Sequence, residues 1–245
     1  MQREELYERL RSAYFSEHPH EEDVLRHLPR LLSGMRRFVD VGASLGQYTR
    51  LAAWCLESPK IWAIEADPLR FEQLLLNCAE WERATGAVIV ARHAAASDCT
   101  GETEFAVSGS NVSGGLFRHD VAAAEPVTWT RVRVPCVRLD TLFGEDPDFI
   151  KIDVEGAELR VLRGAEAILK RGHADFQIEV HPWGDPETGA RPRSVIAWML
   201  KNRYLPAPFF GQWYFTRSFR RWMLAAGIRL SGALLHSSRR LLRRR

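Results

Sequence analysis

The sequence predicts an α/β chain: a mostly parallel sheet with helices on both faces, an antiparallel terminal hairpin and an N-terminal helical cover. Three observations carry that prediction. Short apolar, β-branched runs recur at Phe38 to Val41, Ile61 to Ile64, Val88 to Val90, Phe149 to Ile152 and Phe176 to Val180, with the length and composition of buried strands. Segments with helical spacing lie between them. The last two apolar runs, 204–210 and 212–216, are separated by Gly211 alone, which reads as a hairpin closing the sheet. Alternating strands and helices of this kind place ligands at the carboxyl ends of the strands.

The elements follow in order. Helical spacing predicts helices over Glu4 to Tyr14, with Leu6, Leu10 and Tyr14 on one side, and over Glu21 to Leu32; these form the cover. After the first strand comes a helix from about Tyr48 to Leu56. After the second, Asp67 and Pro68 supply an N-cap and a first-turn proline. The helix they start puts Phe71, Leu74, Leu75, Cys78 and Trp81 on one face, and a later helix does the same with Leu159, Leu162, Ala165 and Leu169. Glu104 to Val107 and Thr128 to Val137 alternate like antiparallel strands around the loop Ser108 to Gly115, an inserted hairpin expected near the site. A helix over Ser194 to Lys201 precedes the terminal hairpin. The expected division is a cover over 1–35, the main domain over 36–216 and a basic tail over 217–245.

Composition bounds the class. With 245 residues, 46% of them apolar, the chain closes a real core as one large domain or two small ones. The 17 glycines and 12 prolines are too few for a collagen-like or broadly disordered chain. Cys55, Cys78, Cys99 and Cys136 have no close neighbour in sequence, so neither a zinc knuckle nor a disulfide scaffold is indicated, and a reducing compartment is expected. Residues 1–15 carry charges throughout with no apolar secretory core, and no uncharged apolar run is long enough to span a bilayer. The expected location is cytoplasmic. The net charge of +3 hides an asymmetry: acidic residues stop at Glu187, while 13 Lys and Arg lie between 188 and 245.

At the end of the first strand stands Asp40-Val41-Gly42-Ala43-Ser44-Leu45-Gly46, a strand running into a glycine-containing turn and a helix. Glu65 follows at the tip of the second strand, where a carboxylate accepts the two hydroxyls of a ribose. Two cofactor classes use this layout, dinucleotides and S-adenosylmethionine. A pyrophosphate needs bare backbone at the middle of the turn, and Ser44 stands there instead. Asp40 suits a cationic methionine amine. Charge therefore favours the sulfonium cofactor over NAD(P), and a plain strand-to-helix turn with a solvated Glu65 is the bland alternative.

The ordered motifs Val39-Asp40-Val41-Gly42-Ala43, Ile64-Glu65-Ala66-Asp67-Pro68, Ala95-Ala96-Ser97-Asp98 with Gly101, Val112-Ser113-Gly114-Gly115, Arg138-Leu139-Asp140 and Ile150-Lys151-Ile152-Asp153-Val154-Glu155-Gly156-Ala157-Glu158 together resemble the FkbM-type S-adenosylmethionine-dependent methyltransferases. These belong to the Rossmann-like class I enzymes. The resemblance runs over roughly 36 to 182 and departs at Ser44, where family members commonly have Asn. It implies O-methylation of a hydroxyl on a sugar, glycolipid, polyketide or related metabolite. It also implies that Asp40, Gly42 and Gly46 line the methionine end, with Ala43 and Ser44 in the same turn. Glu65, followed by Ala66, meets the ribose, and the segment holding Ala95, Ser97 and Asp98 meets the adenine.

Methyl displacement needs alignment, worth about 7 to 11 kcal/mol when good, and a base for the hydroxyl, worth about 10² to 10⁴ in rate. Candidates lie at strand ends. Asp153 is the first choice, His181 the runner-up because imidazole titrates near neutrality, and Glu155 or Glu158 would position the acceptor. The bland readings are macrodipole carboxylates for Glu155 and Glu158, a hydrogen-bonded strand end for His181 and a structural ion pair for Lys151. Asp153 and Glu179 could share a Mg²⁺, but the run lacks a recognisable cation loop, so no metal is expected. Trp183, Trp213 and Tyr214 would stack on an acceptor sugar, lid the cleft or simply pack.

From Arg217 to Arg245 nine arginines accompany Phe219, Trp222, Met223, Ala226, Leu230 and Leu234 at three- and four-residue steps. This is a basic amphipathic pattern suited to an anionic membrane surface, or to a helix packed on the domain. Nucleic acid is not an expected partner, since the aromatics do not interleave with the arginines as a stacking platform would. The competing classes are an NAD(P)-dependent oxidoreductase and a non-catalytic membrane-associated binding module.

Overall fold

The computed structural model describes residues 21–108, 129–185 and 190–229. The helix expected over Glu4 to Tyr14, most of the loop Ser108 to Gly115 and the arginine cluster 239–245 lie outside these residues. In chain order the first half runs α1 (Glu22–Leu31), β1 (Arg37–Val41), α2 (Gln47–Cys55), β2 (Lys60–Glu65), α3 (Pro68–Thr85), β3 (Val88–His93), β4 (Ala95–Ala96), β5 (Gly101–Ser108) and β6 (Trp129–Val137). The second half runs β7 (Phe149–Ile152), α4 (Glu158–Gly164), α5 (Glu166–Arg171), β8 (Asp175–Ile178), α6 (Pro192–Lys201), β9 (Leu205–Phe209), β10 (Gln212–Thr216) and a terminal helix α7 over 219–229.

Seven strands form one sheet in the order β3-β2-β1-β7-β8-β10-β9. All neighbours from β3 to β8 are parallel, and β10 is antiparallel to both β8 and β9. Chain order reverses direction between β1 and β7, so the crevice that collects ligands opens at the carboxyl ends of these strands. The terminal hairpin turns through Phe210 and Gly211, both at positive φ, the two-residue turn whose twist suits paired strands. Pro206 and Pro208 remove two donors from the edge strand β9, which blunts that edge against further pairing.

Strand periodicity sorts the core into two layers. Phe38, Ile61, Ala63, Ile89 and Phe149 pack on one side with residues of α1, α2, α3 and α7. Val39, Val41, Ile64, Ile150, Ile152, Phe176 and Ile178 pack on the other with α4, α5 and α6. The expected inserted hairpin is present as β5 and β6, antiparallel to each other and joined by β4 in a separate three-stranded sheet.

Two expectations change. Leu75 does not share the buried face of α3: Leu74, Cys78 and Trp81 line the core, while Leu75 lies a further 100° round the helix and is 51% exposed. The run Val88 to Val90 is not a fully buried strand. It is the start of a sheet edge, with Ile89 inward and Val88 and Val90 exposed. The described parts of the cover and of the tail pack together on the main domain. Residues of α1 share a core with Ala225 and Ile228 of α7. Arg221 donates through Nε to Asp175 Oδ2 at 2.5 Å and also bonds the Leu31 carbonyl, fastening α1 and α7 to β8.

No helix among the described residues is long and apolar enough to cross a membrane.

Candidate active site

The turn after β1 is stitched to the end of β2. Gly42 and Ala43 N–H groups both donate to the Ile64 carbonyl at 2.9 and 3.0 Å. Ser44 sits at φ 52 between Gly42 at 76 and Gly46 at 90. Protein presses on both glycines: a Cβ on Gly42 would meet the Asp153 carbonyl at 1.8 Å, and one on Gly46 would meet Leu74 and Trp81 below 3 Å. Ser44 N–H donates to Glu65 Oε2 at 2.7 Å and Asp67 N–H to Glu65 Oε1 at 2.8 Å. Glu65 is buried, and burial pushes its carboxyl up to about 7 despite those two bonds. Asp67 caps α3 through Leu69 and Arg70 N–H as its sequence predicts. Arg70 in turn donates to Ser44 Oγ at 2.6 Å, holding the turn from the far side.

Asp40 is buried near the end of β1. Its Oδ2 accepts from Thr49 N–H and Oγ1 at 2.9 and 2.7 Å, tying the first turn of α2 to β1. Burial pushes this carboxyl up to about 6. In the pleat Asp40 stands opposite Lys151 of β7, which stands opposite Gln177 of β8, so a buried polar row crosses the sheet among otherwise apolar neighbours. Lys151 has no exposed side-chain surface. Its Nζ lies 3.2 Å from Asp153 Oδ2, 3.9 Å from Glu179 Oε2 and 4.7 Å from the centre of the Tyr48 ring. Burial opposes its charge, and the carboxylates of Asp153, Glu179 and Glu21 more than offset that, leaving the ammonium favoured.

The other strand-end residues converge. His181 is buried, with Nδ1 2.7 Å from Glu158 Oε1, and Glu158 Oε1 also accepts Gly156 N–H. Its Nε2 faces Glu155 Oε2 at 3.4 Å and Asp153 Oδ1 at 3.7 Å. Burial works against the imidazolium, but these three carboxylates win and raise its pKa to about 9. Asp153 goes the other way: burial favours its neutral form, yet Lys151 and His181 hold it below the usual carboxylate range. Burial and the charge of Asp153 push Glu179 up to about 7, and Gln212 donates to its Oε2 at 2.7 Å. Glu155 is held at φ 54, a left-handed conformation that costs a non-glycine residue energy and so marks a site held in place by its surroundings.

Two groups of three among the described residues have ligand atoms close enough for a metal: Asp153, Glu155 and His181, and Glu21, Asp153 and Glu179. In the first group the histidine ring itself faces the two acids, and in the second Lys151 lies between Asp153 and Glu179. Glu21 is the member that sequence reading missed. It was visible only as the start of a helix, and nothing local announces that α1 begins beside strands β7 and β8.

The segment after β3 is buried and hydrogen-bonded. Ala95 and Ala96 are buried, and Ala94 N–H reaches the Glu65 carbonyl, which keeps this segment beside β2. Ala66 is buried, its carbonyl 3.0 Å from His93 Nε2. Ser97 N–H donates to Val137, its hydroxyl to Asp98, and its carbonyl presses on Gly164. Asp98 faces Arg163 and offers its carbonyl to Arg138. Both polar side chains thus have partners at the junction of the small sheet with α4.

Residues 40–206 match the model of the FkbM methyltransferase domain. Among curated proteins the chain is similar to the hexuronic acid methyltransferase AglP of Haloferax volcanii. The two are 29% identical over 177 residues, covering 68% of this chain and 65% of that protein. Among solved structures it resembles an FkbM methyltransferase from Methylobacillus flagellatus, with TM-score 0.50 and 18% identity over 74% of this chain and 43% of that one. The chain therefore spans less than two thirds of the length of either relative. With the family model matched over most of its length and the strand order in place, this chain belongs to the FkbM methyltransferase domain family.

Proposed function

We propose that the protein transfers a methyl group from S-adenosylmethionine to a hydroxyl of a sugar or sugar-bearing metabolite. The observation that carries the reading is the placement, on the carboxyl rim of one sheet, of a buried Glu65 against the turn after β1 and an Asp153, His181 and Glu158 cluster after β7 and β8. Each Glu65 oxygen accepts one backbone N–H, and an ionised carboxylate has about four acceptor positions. The remaining two fit a ribose diol. The similarity to a protein named for hexuronic acid methylation supports a sugar acceptor.

When bound, S-adenosylmethionine supplies an electrophilic methyl carbon on a sulfonium. The chain's residues then have separate tasks. Asp153, kept anionic by Lys151, orients the acceptor hydroxyl. His181, fixed by Glu158, takes the hydroxyl proton on Nε2. The new bond is oxygen to methyl carbon, the broken bond is methyl carbon to sulfur, and the proton leaves through the imidazole to solvent. His181 is assigned as the base rather than Asp153, whose carboxylate, held at low pKa, accepts protons poorly; it acts in the neutral form that grows as pH rises toward about 9.

Thermal denaturation with S-adenosylhomocysteine or NADH tests the cofactor class. Ligand at about 100 times Kd adds about 2.7 kcal/mol, a rise of roughly 5 to 10 °C. The expected rise is with S-adenosylhomocysteine alone; a rise with NADH alone would transfer the turn to a dinucleotide enzyme.

The proposal extends to peripheral membrane contact through α7. Ala225 and Ile228 are buried, while Phe219, Met223 and Leu224 are 66%, 52% and 44% exposed. No acidic residue follows Glu187, so the charge complements an anionic surface. Removing residues from 217 onward would cut into the core, so Phe219→Ser with Met223→Ser is the cleaner variant. It should lose co-sedimentation with phosphatidylglycerol vesicles; sedimentation equal to the unaltered protein would remove the membrane role.

A further inference from the structure

Trp183 stands beside the reacting groups and is 43% exposed, unusual for so large an apolar side chain next to a buried histidine. Its ring lies 4.9 Å from that of His181 at a 34° tilt, and its indole N–H donates to the Glu155 carbonyl at 3.2 Å. The backbone around it is interlocked. A Cβ on Gly156 would meet the Gly184 carbonyl at 2.6 Å and Trp183 Cδ1 at 3.0 Å, and one on Gly184 would meet the Ala190 carbonyl at 2.1 Å. Asp185 bridges to Ala190 and is gripped by Arg160 of α4 at 2.7 Å. The indole is thus presented on a braced loop, with little freedom to lose on binding.

We infer that Trp183 is the platform of the acceptor subsite and that its ligand is a pyranose ring, whose C–H face lies on the exposed indole while its hydroxyls donate to Asp153 and Glu155. An aromatic surface next to carboxylate acceptors fits a ligand that is apolar on one face and ringed with hydroxyl donors. The two carboxylates are each about one-quarter exposed, which leaves them within reach of such donors. This inference rests on the methyl-transfer reading above, so its test must separate the two.

With S-adenosylhomocysteine saturating, saturation-transfer NMR on methyl glucopyranoside, methyl galactopyranoside and methyl glucuronide should show transfer to the axial ring protons from the unaltered protein. Trp183→Ala should weaken glycoside binding about tenfold, and Trp183→Phe should restore most of it, since Phe keeps an aromatic face. The affinity for S-adenosylhomocysteine, measured by calorimetry on the same samples, should stay unchanged in both variants, which also shows that they fold. Glycoside binding unaltered in Trp183→Ala, or transfer to catechol but to none of the pyranosides, would overturn the platform while leaving methyl transfer standing. Failure of the unaltered protein to bind S-adenosylhomocysteine would instead remove the reading beneath it.

Discussion

Glu65→Ala is expected to weaken binding of S-adenosylhomocysteine about a hundredfold or more. Hydrogen bonds to a charged group contribute about 1.5 to 3 kcal/mol each, and the carboxylate is positioned to accept two from a ribose, so the low end is about 3 kcal/mol, a factor of about 10². Calorimetric titration reads the change. The substitution also frees Ser44 N–H and Asp67 N–H, so Glu65→Gln, which keeps the volume and one acceptor, should fall between the two. The fold should survive. A carboxyl raised to about 7 by burial contributes stability below the unfolded pKa and loses it as pH climbs through 7. Removing it should therefore flatten the dependence of the melting temperature between about pH 4.5 and 7. Unchanged affinity for S-adenosylhomocysteine would take Glu65 out of the cofactor site.

His181→Asn should lower turnover by about 10² to 10⁴, the usual worth of a placed base, with cofactor affinity unchanged. The pH profile distinguishes the candidates. An imidazolium cannot accept the proton, and Glu158, Asp153 and Glu155 favour that form up to about pH 9. Turnover of the unaltered protein should therefore climb with pH toward 9, close to tenfold per unit, and the variant should lose that slope. A profile that levels near pH 7 would pass the proton to Glu179, and one flat from pH 6 upward would return it to Asp153, whose carboxyl is already ionised there.

The sheet was legible because its strands are short apolar runs separated by helically spaced segments, and Asp67 with Pro68 announced α3 without ambiguity. Edges were less legible: Val88 and Val90 look as apolar as any core strand, and only the position of β3 at the end of the sheet exposes them. In the site, Glu65 and His181 stood where strand ends predicted. Lys151 was read as a structural ion pair, and the reason for a lysine in Phe149-Ile150-Lys151-Ile152 is tertiary: three acids from separate segments, Glu21, Asp153 and Glu179, surround it. The glycines of the first turn suit its positive φ angles, as read from the sequence, and also answer to distant contacts. Gly42 is bare for the Asp153 carbonyl and Gly46 for Trp81, contacts between residues far apart in sequence that no local pattern reveals. The same holds for the terminal helix, where the charge run concealed Arg221 as an internal anchor.

The central claim is methyl transfer to a sugar hydroxyl, and incubation with S-(trideuteromethyl)adenosylmethionine and the same three methyl pyranosides tests it most directly by mass spectrometry. The account predicts a product carrying one trideuteromethyl group that withstands mild alkali, as an ether does, and that His181→Asn and Glu65→Ala largely fail to make. Label on an alkali-labile ester would contradict a hydroxyl acceptor, and no label on any pyranoside would contradict the claim itself.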